Sequence, residues 1–379
     1  MLLKDLCETI IDNRGKTPPL SEYGYALIEA QCFSSQNFVK SEDAVKHITK
    51  STFLNMRGGT CKENDIVVTL VGNIGHCALV LEPVAIAQNI VALRIDTRVA
   101  NPLYVFYYMK TDYFKKNCEQ LNRSSVQPSI NVNDFLNIEI DLPDRKTQDK
   151  IVDILFGIDN QIERNNDMVK KLQVLGQAIF AQHFAHCSNQ CSLMEFPYIS
   201  VIKPGIKPFD SGKRYLTTSD VNNSDINWDA STVQFSTREN RANMEPQVHS
   251  VWFAKLKNSV KHICIPARSA LLNNYILSTG FCGLLCDDTA FEFMSALITH
   301  PSFESLKDKF AHGATMEAVN NDDLSCFVIP NPDFNTLESF HLATQGLYQQ
   351  ITDIQYSSYK LACMRNSLLP MLINGQITV

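Results

Sequence analysis

Asp144-RKTQDKIVDILFGIDNQIERNNDMVKKLQVLGQAIFAQH-Phe184 is the stretch whose reading decides the fold. Ile151, Leu155, Ile158, Ile162, Val169, Leu172 and Ile179 recur there at alternating steps of four and three, with Asn165 and Gly176 completing the series. Such steps place side chains along one stripe of an α-helix, the narrow seam of a coiled coil. Asp144, just after Pro143, suits the N-cap, where its carboxylate accepts from a free backbone amide. A helix of about 36 residues reaches about 54 Å at 1.5 Å per residue, further than one small domain covers. The seam therefore calls for a second helix of similar length.

A second helix is present in the same chain. D134-F-L-N-I-E-I-D-L-P-D144 aligns without gaps on D323-L-S-C-F-V-I-P-N-P-D333, at an offset of 189. The offset takes Asn131 onto Asn320, and a shift of one residue brings Tyr25-Ala-Leu-Ile onto Tyr215-Leu-Thr-Thr. It carries the seam onto Phe340, Thr344, Leu347, Ile351, Ile354, Ser358, Leu361, Arg365 and Leu368. The chain reads as two tandem copies: a globular domain over 1–143 and a helix over 144–186, then a domain over 187–332 and a helix over 333–379.

Within the first copy, short apolar runs punctuated by Gly, Pro and Asn read as strands: Ile66 to Val71, Ala78 to Leu81 and Ile90 to Ile95. Asn101 to Lys116 reads as one helix, and Ile138 to Leu142 as a final strand. The predicted fold class is α/β (α+β), with two small domains joined by two long helices and related by a pseudo-two-fold axis. Parallel placement of tandem helices would need a long return, so an antiparallel pair is predicted. Asn165, Thr344, Ser358 and Arg365 would set its register at some cost in stability.

Lys4, Asp5 and Glu8 interrupt the start of the chain, where a signal peptide needs an apolar run, and no stretch of about 20 apolar residues follows. Twelve cysteines scattered over 379 residues point to reduced thiols. Both features predict a soluble, cytoplasmic protein without membrane contact. The net charge of −6 opposes nucleic-acid binding in bulk. Between Val201 and Ala270, however, ten basic residues (Lys203, Lys207, Lys213, Arg214, Arg238, Arg241, Lys255, Lys257, Lys261 and Arg268) face six acidic ones.

Catalytic signatures are missing. The chain has no GxxxxGK[ST] loop, GxGxxG, GxSxG or HExxH. Asn101-Pro102-Leu103-Tyr104 lacks the second proline of an amine-holding methyltransferase loop, and no Gly-rich cofactor loop precedes it. His183, His186, Cys187 and Cys191 fit no common zinc spacing, and Cys282 and Cys286, beside Gly283, read as core thiols. The reading is of a chain with no catalytic residue and no metal or cofactor of its own.

Recognition chemistry remains, placed at loop tips. In the first copy it comprises Arg14, Lys16, Thr17, Gly72, Asn73, His76, Gln88, Asn89, Arg123, Ser124, Ser125 and Gln127. In the second it comprises Lys203, Lys207, Lys255, Lys257, Lys261, His262, Ser278, Thr279, His312 and Thr315. Arg and Gln can bond guanine and adenine edges in pairs, whereas Lys, Ser and backbone amides suit phosphates. Glycine lets backbone approach a ligand closely.

The repeat, the Pro-Asp before each heptad helix and the ending R365-N-S-L-L-P-M-L-I-N-G-Q-I377 together resemble specificity subunits of type I restriction-modification systems. Arg365, Leu368, Leu369, Pro370, Leu372, Gly375 and Ile377 match that family's closing motif, with Met364 in place of Leu, and N273-N-Y-I-L-S-T-G-F281 is similar to a piece of its target-recognition domains. The first helix departs from the pattern, ending Gly176-QAIFAQH-Phe184 without the Leu-Pro-Gly signature. The resemblance implies two domains that each read half of a split double-stranded DNA site, spaced by paired helices across at most roughly 16 base pairs. It also implies partners: methyltransferase subunits carrying S-adenosylmethionine, and a motor and endonuclease subunit using ATP and Mg. The alternative left open by the residues is a coiled-coil scaffold whose globular ends bind proteins rather than DNA.

Overall fold

Ile66, Val67 and Val68 form a strand with no polar alternation, because that strand is buried on both faces. The computed structural model describes residues 1–15, 17–33, 37–124, 126–185 and 187–379. The chain divides into two compact units, Met1–Gln161 with Leu361–Val379, and Ile162–Lys360.

In the first unit β1 Cys7–Asp12, β2 Tyr25–Ile28, β3 Phe38–Val39, β4 Lys46–Ile48, β5 Ile66–Thr69, β6 Cys77–Val80, β7 Ala85–Ile86 and β8 Ile90–Ile95 form two sheets, ordered β1-β8-β5-β6-β3 and β4-β2-β7, with α1 Lys50–Leu54 beside them. Ile66, Val68, Val91 and Leu93 enter one apolar cluster, and Val67, Ile90 and Ala92 enter another. A sheet covered on both faces needs continuous apolar runs, which is what the sequence carries.

The single helix expected over Asn101 to Lys116 is two, α2 Pro102–Met109 and α3 Asp112–Gln120. Thr111 divides them by accepting the Phe114 amide on its side-chain oxygen at 3.3 Å, the N-cap from which α3 starts. Ile138 to Leu142, expected as a strand, makes only a bridge between Glu139 and Leu2. Around that bridge, which follows α4 Val132–Leu136, the Leu3 amide donates to Ile138 O at 2.9 Å and the Ile140 amide to Met1 O at 2.7 Å. The long helix α5 Arg145–Phe184 starts where predicted: the Thr147 amide donates to Asp144 Oδ1 at 3.1 Å.

Ile151, Val152 and Leu155 of α5 share the first unit's main core with Leu368 and Leu372. Asp159, on the next turn, is 2% exposed. Its carboxylate accepts from Asn37 Nδ2 at 3.1 Å and the Tyr107 hydroxyl at 2.8 Å, and pairs with Arg365.

The second unit contains β9 Gln190–Ser192, β10 Ile199–Val201, β11 Lys213–Leu216, β12 Val221–Asn222, β13 Asp225–Ile226, β14 Thr232–Val233, β15 Ala242–Met244, β16 Ser250–Ala254, β17 His262–Ile265, β18 Tyr275–Ser278, β19 Phe281–Cys286 and β20 Val328–Pro330. Its helices are α6 Leu271–Asn274, α7 Phe291–Thr299, α8 Pro301–Phe310 and α9 Phe334–Ile373, of which α9 passes into the first unit after Lys360. Two four-stranded sheets run β10-β19-β16-β17 and β14-β11-β18-β15. At the centre of the former, Gly283 lies opposite Trp252, and a Cβ there would sit 2.4 Å from the indole ring. Glycine is required by that close approach.

Phe180 and Phe184 pack on Phe340, and Asn165 Nδ2 donates to Ser358 Oγ at 3.1 Å. Every seam position on both helices is buried or half-buried. Thr344 differs from expectation: its hydroxyl donates to Phe340 O of its own helix at 2.7 Å, and among the described residues it makes no bond across the seam. The unit boundaries fall inside both long helices rather than at their starts, because each helix lends its two parts to different cores. All twelve cysteines carry free thiols, and among the described residues no helix is long and apolar enough to cross a membrane.

Replacing Asp159 by Ala leaves the guanidinium of Arg365 without its buried partner and should destabilise the first unit by about 3–5 kcal/mol in urea unfolding. A loss below about 1 kcal/mol would mean that the pair behaves as a solvent-screened surface bridge. Gly283→Ala should cost at least about 1–3 kcal/mol by overpacking against Trp252, seen as a lower unfolding midpoint with unchanged near-native secondary structure.

Candidate nucleic-acid interface

The four loops of the first unit that carry candidate recognition residues are joined by hydrogen bonds, two between backbones and one between side chains. The Leu70 amide donates to Asn89 O at 3.2 Å, the Gly72 amide to Pro128 O at 2.8 Å, and Gln88 Nε2 to Thr17 Oγ1 at 2.5 Å. Gly72 has φ +83°, a left-handed conformation open to glycine at little cost. Thr69 donates its hydroxyl to Asn73 O, which ties the 69–76 turn on itself. Ser124 Oγ accepts the Gln127 amide at 3.4 Å, and Gln127 is exposed. Lys16, Ser125 and His186 lie outside the described residues.

Two arginines singled out in this unit are already neutralised. Arg14 forms a forked pair with Asp12, Nε to Oδ1 at 2.9 Å and Nη2 to Oδ2 at 2.7 Å, which holds the Asp12 carboxyl below its ordinary range. Arg123 pairs with Asp134. Arg57, which the sequence reading passed over, is exposed beside Gly58 and Gly59, where Asn13 accepts the Gly58 amide at 2.8 Å.

His76 is half-buried, with Nε2 at 2.6 Å from Phe33 O and its ring stacked on Phe33. Burial pushes its pKa down, and the charges of Lys110 and Lys115 act in the same direction against the Phe33 bond.

In the second unit the candidates form a connected surface around Gly280. The Lys255 amide donates to Gly280 O at 3.0 Å and the Thr279 amide to Arg241 O at 2.9 Å. Lys261 Nζ donates to Thr218 O, whose residue touches Gly280. Lys203 and Lys207 are exposed on the stretch that joins this surface where the Gly205 amide donates to Asn243 O at 2.8 Å. His312 and Thr315 are exposed on a loop bridged to Leu256 through Ala318. Lys257 differs from its basic neighbours in pairing with Glu317 at 2.8 Å.

Two candidates are corrected by their placement. His262 is a core residue, 2% exposed, with Nε2 at 2.9 Å from Glu304. Ser278 is buried and accepts the Gly280 amide at 3.1 Å, so it shapes the turn rather than reaching outward. Beneath them the fully buried Lys307 donates to Leu256 O and Ser259 O at 3.1 and 3.0 Å and lies 2.6 Å from Glu304, pinning the 255–261 loop from below. No periodicity or motif marks it in the sequence.

Among the described residues no group of three or more His, Cys, Asp or Glu side chains is placed to hold a metal ion. His183 Nδ1 lies 2.9 Å from Ile179 O of its own helix, and Cys191 sits in β9 paired with β20. The arrangement can present hydrogen-bond donors and positive charge on ordered loops.

Residues 1–173 match the family described as the type I restriction modification DNA specificity domain. The HindI specificity subunit of Haemophilus influenzae is 27% identical over 108 residues, 27% of this chain and 23% of that protein. The EcoBI specificity subunit of Escherichia coli is 25% identical over 146 residues, 37% of this chain and 31% of that protein. The matched stretches thus span under a third of either relative's length. A solved type I restriction-modification S subunit from M. genitalium shares the fold, with a TM-score of 0.58 at 14% identity over 98% of this chain and 95% of that one.

His76 should titrate below the ordinary histidine range in an NMR titration of its ring protons. Its folded pKa lies below the unfolded one, so the unfolded chain takes up the proton first, and stability of the first unit should fall as pH drops through the ordinary histidine range. A normal titration curve would show that the ring is not desolvated.

Proposed function

From the match of residues 1–173 to the type I restriction modification DNA specificity domain we propose that this chain is a member of that family and reads a bipartite double-stranded DNA target, one half-site per unit. The reading makes it a non-catalytic recognition subunit. The observation that carries it is the recurrence of one sheet plan with ordered, polar loops. In the first unit β1-β8-β5-β6 and β4-β2-β7 have counterparts in β10-β19-β16-β17 and β14-β11-β18 of the second, with the same antiparallel and parallel pairings at β2 and β11. The bridge Leu2 to Glu139 corresponds to Ser192 paired with Val328, at the offset of 189 and its one-residue shift.

The tandem repeat and the antiparallel coiled coil belong to this proposal. They are supported by buried seams and by opposite running order: Asn165 faces Ser358, while Phe184 further along one helix faces Phe340 earlier along the other. Boundaries near 143, 186 and 332 would separate the target-reading domains from the helices. The helices would space the domains and dock methyltransferase subunits that carry S-adenosylmethionine, with a motor and endonuclease subunit using ATP and Mg joining for cleavage.

Assembled with its methyltransferase subunit, the full chain should protect a split DNA sequence. Exchange of residues 1–143 for those of another family member should change one half-site and leave the other intact; a footprint with both halves altered, or neither, would overturn the modular reading. Lys203→Gln with Lys207→Gln should weaken binding uniformly across sequences and reduce the salt slope by about 0.9 per lost phosphate contact. A binding response flat in salt would point instead to a scaffold that binds protein.

A further inference from the structure

Arg238 is held differently from the other arginines that the fold fixes in place. Its guanidinium carbon lies 4.1 Å from the centre of the Phe235 ring, and Nη1 donates to Phe235 O at 2.6 Å. Arg14, Arg94, Arg98, Arg123, Arg145, Arg214 and Arg365 each have a carboxylate partner. Arg238 has no ion pair among the described residues, so its charge is immobilised without being neutralised.

Its support is itself fixed. Phe235 packs edge-on against Phe209, with ring centres 5.5 Å apart and planes at 84°, and Lys213 Nζ lies 5.3 Å from the Phe209 centre. Stacking on an aromatic face and a carbonyl bond restrict a long side chain that ordinarily loses rotamer freedom on binding. Donors other than the bonded one remain for a ligand, since a guanidinium offers five N–H groups in a planar fork. The turn that carries Arg238 leads to Arg241, whose carbonyl accepts the Thr279 amide, and so joins the surface bearing Lys203 and Lys207.

We infer that Arg238, stacked on Phe235, is a base-reading residue of the second unit, presenting its fork to a guanine edge in duplex DNA. The inference rests on the proposed DNA reading. A rigid planar donor pair matches guanine O6 and N7, the commonest specific contact made by arginine. Neighbouring lysines, as compact point charges, suit the phosphates flanking that base.

Selection of a randomised duplex DNA library by the full-length chain with its methyltransferase subunit tests this. The wild type should enrich a split motif. Arg238→Ala should relax one guanine position of one half-site, lowering discrimination there about 5- to 150-fold and leaving the other half-site unchanged. Arg238→Lys keeps the charge but loses the fork, so it should relax the same position with an unchanged salt slope. Phe235→Leu, which removes the stack and keeps the arginine, should relax it partially, and matched thermal unfolding would show that each variant folds. Unchanged preference in Arg238→Ala overturns the inference, as does uniform weakening with a salt slope smaller by about one, the mark of a phosphate contact. A wild type that enriches no motif overturns the DNA reading itself and this inference with it.

Discussion

A carboxylate removed from water is tolerable only where partners replace its hydration. Asp159 meets that condition with three partners drawn from separate parts of the first unit: Asn37 ahead of β3, Tyr107 on α2 and Arg365 near the end of α9. Apolar contacts such as Ile151 and Leu155 with Leu372 supply burial, but methyl groups tolerate sliding along a helix far better than a buried ion pair does. Asp159 therefore fixes which turn of α9 lies against α5 within this unit. Asn165 with Ser358 does the same in the second unit at lower cost, since neither group is charged.

The long helices were legible because their signal is local and repeated. A stripe of steps of four and three survives whatever surrounds it, and Asp144 and Asp333 cap both starts, with Thr147 and Thr336 amides donating to them. Strands buried on both faces were legible as apolar runs. The break at Thr111 was missed because Tyr104 to Phe114 is apolar enough to hide a cap residue inside a helical pattern. His262, Ser278 and Lys307 were misread or overlooked for a different reason. Whether a polar side chain points outward depends on partners distant in sequence, here Glu304 for the histidine and Leu256 and Ser259 for the lysine.

Charge shows the same division between what sequence counts and what folding arranges. The first unit's Arg14, Arg94, Arg98 and Arg123 are each paired with aspartate, so much of its positive charge is internally spent. In the second unit Lys203, Lys207, Arg238 and Arg241 carry no ion pair among the described residues. A net charge of −6 is therefore compatible with a locally basic surface.

If these loops read DNA as proposed, specificity depends on how little they must reorganise on binding. In the first unit the 69–76 turn is tied by Thr69 and by the bond from Gly72 to Pro128, and the 87–89 segment by Gln88 to Thr17. In the second, Lys307 fastens the 255–261 loop from inside the core, far from any surface it could touch itself. Loops fastened in this way hold donors at fixed spacing, so a sequence whose acceptors fall elsewhere forces either an unpaired donor or a broken internal bond. Each costs more than a flexible loop would lose, so on the proposed DNA reading the rigidity of the loops would add to discrimination between sequences even where it added nothing to affinity.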